Sequence, residues 1–250
     1  MSGPALAQRS LAGKVAVVTG AGGALGRAIC RQFAADGAEV VGVDLPGQEG
    51  CRAADISSEE DNRRLVADVV AEYGRLDIVV LNAGVQHLDP IRSYPGEQWA
   101  RLMGVMLTGP FLTMKAAWPH LTARPGGRVL ATASTSSYAA EKYKAGYVSA
   151  KHGLLGLIKV AALEGAEHGL TANAVAPSWM RTGMVEQQVA RRSELLGRSP
   201  DDVIADLVGE QAVKRFVEPD EVAQTLAFLA SPAASGITGS CIPVDLGALA

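Results

Sequence analysis

The sequence is short of groups able to perform difficult chemistry unaided. Its 250 residues include three cysteines, Cys30, Cys51 and Cys241, an odd number at wide spacing. That fits neither a disulfide framework nor a zinc knuckle, and it suits free thiols in a reducing cytoplasm. The four histidines, His87, His120, His152 and His168, are scattered without metal-ligand spacing, so no metal site is expected. Excess positive charge is also missing. A net charge of −3 and a pI near 5.8 argue against a nucleic-acid partner, which calls for a basic face or stripe. Arg63-Arg64 and Arg191-Arg192 read as solvated helix faces. No apolar run is long enough to span a bilayer, so no membrane role is expected. Met1 to Ser10 has no hydrophobic segment ahead of a cleavage site and reads as a short loose arm rather than a secretory leader. The hard chemistry is therefore expected to come from an organic cofactor.

What is present is a rhythm. Apolar residues make up 48% of the chain, enough for a large core in one domain of this length. Apolar runs at Lys14 to Thr19, Glu39 to Asp44, Asp77 to Leu81, Arg128 to Ala133, Thr171 to Val175 and Ser240 to Val244 read as strands. Helical patterns at Ala24 to Asp36, Glu59 to Tyr73 (capped by Ser58), Gly96 to His120, Tyr147 to His168 and Pro219 to Ala230 alternate with them. Strands that are apolar throughout point to burial on both faces. The succession predicts a single α/β domain over 1–250, a doubly wound parallel sheet with ligands outside the carboxyl ends of its strands. The stretch 178–216 breaks the rhythm and is expected to be an insertion covering the site.

Two spacings carry chemistry. Thr19-Gly20-Ala21-Gly22-Gly23-Ala24-Leu25-Gly26 lies between the first strand and the first helix, where Gly20, Gly23, Leu25 and Gly26 let backbone and helix N-terminus approach a pyrophosphate. Asp44 ends the next strand, placed to accept hydrogen bonds from an adenosine ribose and to repel a 2′-phosphate. No arginine follows it or sits in the glycine turn, so NAD is favoured over NADP. Further on, Tyr147 and Lys151 are four apart on a helix and share a face, with Ser134 upstream. The lysine ammonium beside the ring favours phenolate and turns the phenol into a base.

These residues resemble the short-chain dehydrogenase/reductases, over nearly the whole chain. The resemblance implies a Rossmann-type fold, NAD-dependent interconversion of a secondary alcohol and a ketone, and a homotetramer. It implies that Ser134 holds the substrate oxygen, Tyr147 is the general base, and Lys151 lowers the phenol's pKa together with the oxidised nicotinamide and holds the ribose. It assigns cofactor contacts to Asp55, Ile56, Asn82, Ala83, Gly84, Pro177 and Thr182. The chain departs from the family at Ala24, where the middle glycine of the turn is expected, and at Leu81. It departs again at Met106, where the family has a catalytic asparagine that holds a helix kink and a water. Only Asn62, Asn82 and Asn173 exist, so realignment cannot supply that residue.

A narrower resemblance is to bacterial D-3-hydroxybutyrate dehydrogenases. It implies that Gln86, Lys144 and Gln188 bind a substrate carboxylate, with Ser134 on the reacting oxygen; the plain alternative for Lys144 is a solvated surface lysine. Trp179 either walls the substrate pocket or simply packs. The match is partial, because Ser136 stands where a histidine is expected and a C-terminal tryptophan is missing. A bulkier or less acidic alcohol or ketone, such as an aromatic or natural-product substrate, is the alternative. A weakly active NAD-binding sensor or scaffold is the second alternative. For His87 and His152 a structural role is expected rather than general-base duty.

Overall fold

A computed structural model describes residues 10–250; the expectation for the amino-terminal arm falls mostly outside them. Seven strands, β1 Val15–Thr19, β2 Glu39–Asp44, β3 Arg52–Ala53, β4 Ile78–Leu81, β5 Arg128–Thr132, β6 Thr171–Pro177 and β7 Cys241–Val244, form one sheet in the order β3-β2-β1-β4-β5-β6-β7. Every neighbouring pair is parallel. The fold is thus α/β and Rossmann-type. The order of strands reverses between β1 and β4, and a crevice opens at such a switch point on the carboxyl edge.

Alternating side chains of each strand feed two cores. Val15, Val17, Val79 and Val129 face α2 (Glu59–Tyr73), α4 (Gly109–Leu121) and α5 (Ala145–Gly165). Ala16, Val18, Val80 and Leu130 face α1 (Ala24–Ala35) and α8 (Pro219–Ala230). Water is excluded on both sides, which explains why these strands read as continuous apolar runs. Ser58 caps α2 by accepting a bond from the Asp61 amide at 3.2 Å.

Two elements differ from the sequence expectation. β3 pairs only two residues at the sheet edge, too short for any periodicity to reveal it. The helix expected from Gly96 to His120 is broken: α3 (Gly96–Met103) passes through one π-helical turn, Gly104–Thr108, before α4 begins. The Gly109 amide donates to the Gly104 carbonyl across that wider turn, and Met106 is wholly buried in it. The helix is thus irregular at the place where the resemblance implied an asparagine, with Met106 in its stead.

Past β6, the stretch 178–216 forms α6 (Gly183–Leu196) and α7 (Pro200–Gly209) around a small core of Trp179, Val189, Val203 and Leu207.

Candidate active site

A cavity of about 780 Å³ runs along the carboxyl edge of the sheet. The turn after β1 lines one end. Gly20 adopts φ +68°, and a Cβ there would lie 2.7 Å from the Ala83 Cα. A Cβ on Gly26 would overlap the Gly20 carbonyl oxygen. Only glycine fits either position. Asn82 staples this turn to β4, donating through Nδ2 to the Thr19 carbonyl at 3.0 Å while its Oδ1 accepts from Thr132 Oγ1 at 3.0 Å. Asn82 thus braces backbone rather than standing free in the cavity.

The residues present fit a dinucleotide. Gly23 caps α1 with no side-chain hydrogen bond, leaving first-turn amides facing the cavity. Asp44 lines the same end, its carboxylate accepting from the Gly22 amide at 2.9 Å and the Leu45 amide at 2.8 Å. Ala54, Asp55 and Ile56 make an adjoining wall. Ser57 donates to the Asp55 carboxylate through both amide and hydroxyl, so that side chain is turned to its own loop. Leu25, Ala83, Gly84, Pro177 and Thr182 also line the cavity, as does Arg27 one residue beyond the glycine turn.

At the other end Ser134, Tyr147 and Lys151 meet. Ser134 ends β5's extension and caps a short 3-10 turn, its Oγ accepting from the Ser136 amide at 3.1 Å. Lys151 Nζ is buried, donates to the Thr132 carbonyl at 2.6 Å and lies 5.7 Å from the centre of the Tyr147 ring. In the chain by itself the lysine does not win the contest over the phenol. Burial pushes Tyr147 up to about 12, against the Ser134 hydrogen bond and with a further rise from Glu141. Burial likewise pushes Lys151 down to about 8. Both charged forms lose hydration on burial, so in the chain without cofactor Lys151 by itself does not bring the phenol below its ordinary value.

The remaining wall holds Gln86, Lys144, Trp179 and Gln188. Lys144 is no surface lysine: it is 3% exposed, at the N-cap of α5, just after Tyr143 turns the chain with φ +72°. Its ammonium lies 4.2 Å from the Trp179 ring centre. Trp179 both packs in the small core and lines the cavity, with Nε1 donating to Glu210 Oε2 at 2.6 Å. Gln86 Nε2 reaches Gln188 Oε1 at 3.5 Å. His87 and His152 are not in the cavity lining; His87 pairs with Asp89 at 2.6 Å and packs edge-on to Tyr94.

Two further residues were not expected from the sequence, Glu141 in this wall and Arg192 behind it. Glu141 lines the cavity, and its carboxylate accepts from Ser136 Oγ at 2.6 Å, from Lys144 at 3.0 Å and from Arg192 Nη2 at 2.7 Å. Burial raises its carboxyl, but Lys144, Ser136 and Arg192 together hold it below the usual range. Arg192 is therefore not a solvated face: its side chain is 17% exposed and its guanidinium lies 4.9 Å from the Trp179 ring. Arg192 lies one helical turn after Gln188 on α6, but Glu141 sits in the irregular turn before α5, where spacing carries no such signal. Among the described residues, no group of three His, Cys, Asp or Glu side chains is placed to hold a metal, and no helix is long and apolar enough to cross a membrane.

A parallel sheet with a glycine turn, a strand-end aspartate and a buried tyrosine–lysine pair on one edge has the architecture of a dinucleotide-dependent oxidoreductase. The family model described as enoyl-(acyl carrier protein) reductase matches residues 20–248, and the chain belongs to the short-chain dehydrogenase/reductase family. It is 39% identical over 250 residues to the oxidoreductase YxjF of Bacillus subtilis (strain 168), covering 94% of this chain and 97% of that one. It is 35% identical over 253 residues to the D-beta-hydroxybutyrate dehydrogenase of Cupriavidus necator, covering 95% and 98%. Among solved structures it resembles NAD+-bound xylitol dehydrogenase, with a TM-score of 0.89 and 28% identity over 94% of this chain and 98% of that one. The chain is an oxidoreductase of this family.

Proposed function

We propose that the chain is an NAD-dependent dehydrogenase interconverting a secondary alcohol and a ketone. One observation carries the reading: Ser134, Tyr147 and Lys151 share a single cavity with the glycine turn and Asp44. The turn amides and Gly20, Gly23, Leu25 and Gly26 hold the diphosphate, Asp44 the adenosine ribose, and Asp55 and Ile56 the adenine side. Asn82, Ala83, Gly84, Pro177 and Thr182 shape the rest of that groove. When bound, NAD supplies the hydride acceptor.

The chain's own residues move the proton. Ser134 Oγ donates to the substrate oxygen and stabilises charge that develops there. Tyr147 takes the hydroxyl proton as general base, and the ammonium of Lys151 favours its phenolate. The Thr132 carbonyl fixes that ammonium in place. The helices of 178–216 act as a lid, since Trp179 and Gln188 contribute to the cavity wall.

The match to D-beta-hydroxybutyrate dehydrogenase supports a short hydroxy acid held by Gln86, Lys144 and Gln188. The ion pair already made by Lys144 with Glu141 favours the second reading, an uncharged and bulkier alcohol. The assay that separates them follows absorbance at 340 nm with NAD+ and a panel of hydroxy acids, polyols, and aromatic and cyclic alcohols. NADH from 3-hydroxybutyrate supports the first reading, and NADH from uncharged alcohols alone supports the second. Binding of NAD without turnover of any would defeat both.

Met106 puts a buried apolar side chain beside Ala150 and Tyr147 in the place the resemblance gives to a water-holding asparagine, so proton exchange with solvent is slow. Met106→Asn is expected to raise turnover severalfold and to shift the pH profile. An unchanged rate and profile would remove this deficit from the account. We place the enzyme in the cytoplasm as a homotetramer; the free thiols Cys30, Cys51 and Cys241 and the exposed Val160 and Leu163 on α5 support this. Light scattering that returns the mass of one chain would rule out the assembly.

A further inference from the structure

The wall facing Tyr147 is built as an anion site and already contains its anion. Lys144 Nζ, Arg192 Nη2 and Ser136 Oγ converge on one carboxylate, that of Glu141, at 3.0, 2.7 and 2.6 Å. Lys144 has no solvent to turn to: it is buried between that carboxylate and the Trp179 ring, 4.2 Å away. Arg192 stacks on Trp179 from α6 at 4.9 Å, so the strap crossing the cavity is tied to Glu141 rather than left open for a ligand. Glu141 thus occupies the place a ligand carboxylate would take against Lys144, Arg192 and Ser136, with Arg192 Nε left buried without a partner among the described residues. A substrate carboxylate reaching the same donors would stand beside Glu141, and like charges so placed repel strongly.

We propose that Glu141 is the specificity-determining residue of this enzyme. It supplies from the chain the carboxylate that the Ser136, Lys144 and Arg192 donors demand, so the site takes uncharged ketones and secondary alcohols and excludes short hydroxy and keto acids. The inference rests on the reading above that this cavity binds the substrate, and it names the charge class. Gln86 and Gln188 then remain as neutral partners for hydroxyl or carbonyl groups.

The test uses binding, so that it does not depend on hydride transfer. The chain saturated with NAD+ is titrated with acetoacetate and with pentane-2,4-dione, two ligands of nearly equal shape that differ in one negative charge. The wild type is expected to bind the dione at least about 100-fold more tightly than the acid, the size of a like-charge penalty of a few kcal/mol. Glu141→Gln keeps the shape and removes the charge, and is expected to shift that ratio at least about tenfold toward acetoacetate. Glu141→Ser, which frees the space as well, should shift it in the same direction and guards against a local collapse in the first variant. Wild type that binds acetoacetate as tightly as the dione overturns the proposal. So does a ratio unchanged in both variants, and so does failure of every protein to bind either ligand. Absence of NADH formation from NAD+ and every secondary alcohol of the panel above, with ligand discrimination intact, would instead defeat the catalytic reading and leave Glu141's role standing.

Discussion

Tyr147→Phe is expected to lower turnover by about 10³-fold or more while NADH affinity stays within about twofold, because general-base assistance is worth about 10²–10⁴ in rate. The ring stays, so its packing against the cluster of Leu102, Met106 and Ala150 and the 5.7 Å approach of Lys151 to the ring centre persist. What disappears is the phenol hydroxyl that hydrogen-bonds Ser134. Stopped-flow NADH formation together with fluorescence titration of NADH separates the two effects. A variant with turnover near wild type would end the assignment. The wild-type pH profile adds a signed check. Burial leaves the phenol at about 12 in the chain alone, so phenolate is scarce at neutrality and oxidation speeds up as pH rises. Lys151, pushed down to about 8, begins to lose its ammonium there, so the rise should flatten above that point. Reduction, which needs the protonated phenol, runs in the opposite sense.

Gly26→Ala is expected to cost both the fold and the cofactor. A Cβ at Gly26 would collide with backbone, the Gly20 carbonyl and the Ala21 Cα at 2.6 Å, so no side-chain rotation relieves it. Overpacking of this kind costs about 1–3 kcal/mol or more, and about 2–4 °C in Tm per kcal/mol for a chain of this size. The melting temperature should fall by about 5–10 °C. The strain is relieved by moving the turn away from α1, which displaces the amides facing the cavity, so NADH affinity should drop about 100-fold, about 3 kcal/mol. Gly23→Ala is the control for stability. A Cβ there meets only the Gly20 carbonyl at 3.5 Å, and its melting temperature should stay close to wild type. Equal melting temperatures for all three proteins would show that the turn is looser than its geometry indicates.

The fold was readable because its strands are buried on both faces and its helices are amphipathic, two local patterns that survive without an alignment. β3 was unreadable because a two-residue pairing leaves no period. The π turn was unreadable because Val105, Met106 and Leu107 suit an ordinary helix, and only the pairing of Gly109 with Gly104 widens it. Within the site, the glycine turn, Asp44 and the Tyr147–Lys151 spacing could be placed from sequence because each depends on its own short segment. Glu141 and Arg192 could not, since their meaning arises from a meeting between the turn before α5 and the middle of α6, 51 residues apart. Arginine pairs on a helix usually face water, and only the tertiary contact with Trp179 and Glu141 draws Arg192 inward. Tyr147's high pKa escaped for a related reason: spacing reveals the neighbour, but not how little water is left around it.

The central claim is that this cavity oxidises a secondary alcohol with NAD, and absorbance at 340 nm addresses it directly. Wild-type protein, supplied with NAD+ or NADP+ and a panel of secondary alcohols, is predicted to form NADH from at least one uncharged member. The rate with NADP+ is predicted to be at least about 100-fold lower, because Asp44 faces any 2′-phosphate. Saturating NAD+ binding with no absorbance change across the panel, or faster turnover with NADP+, would contradict the account.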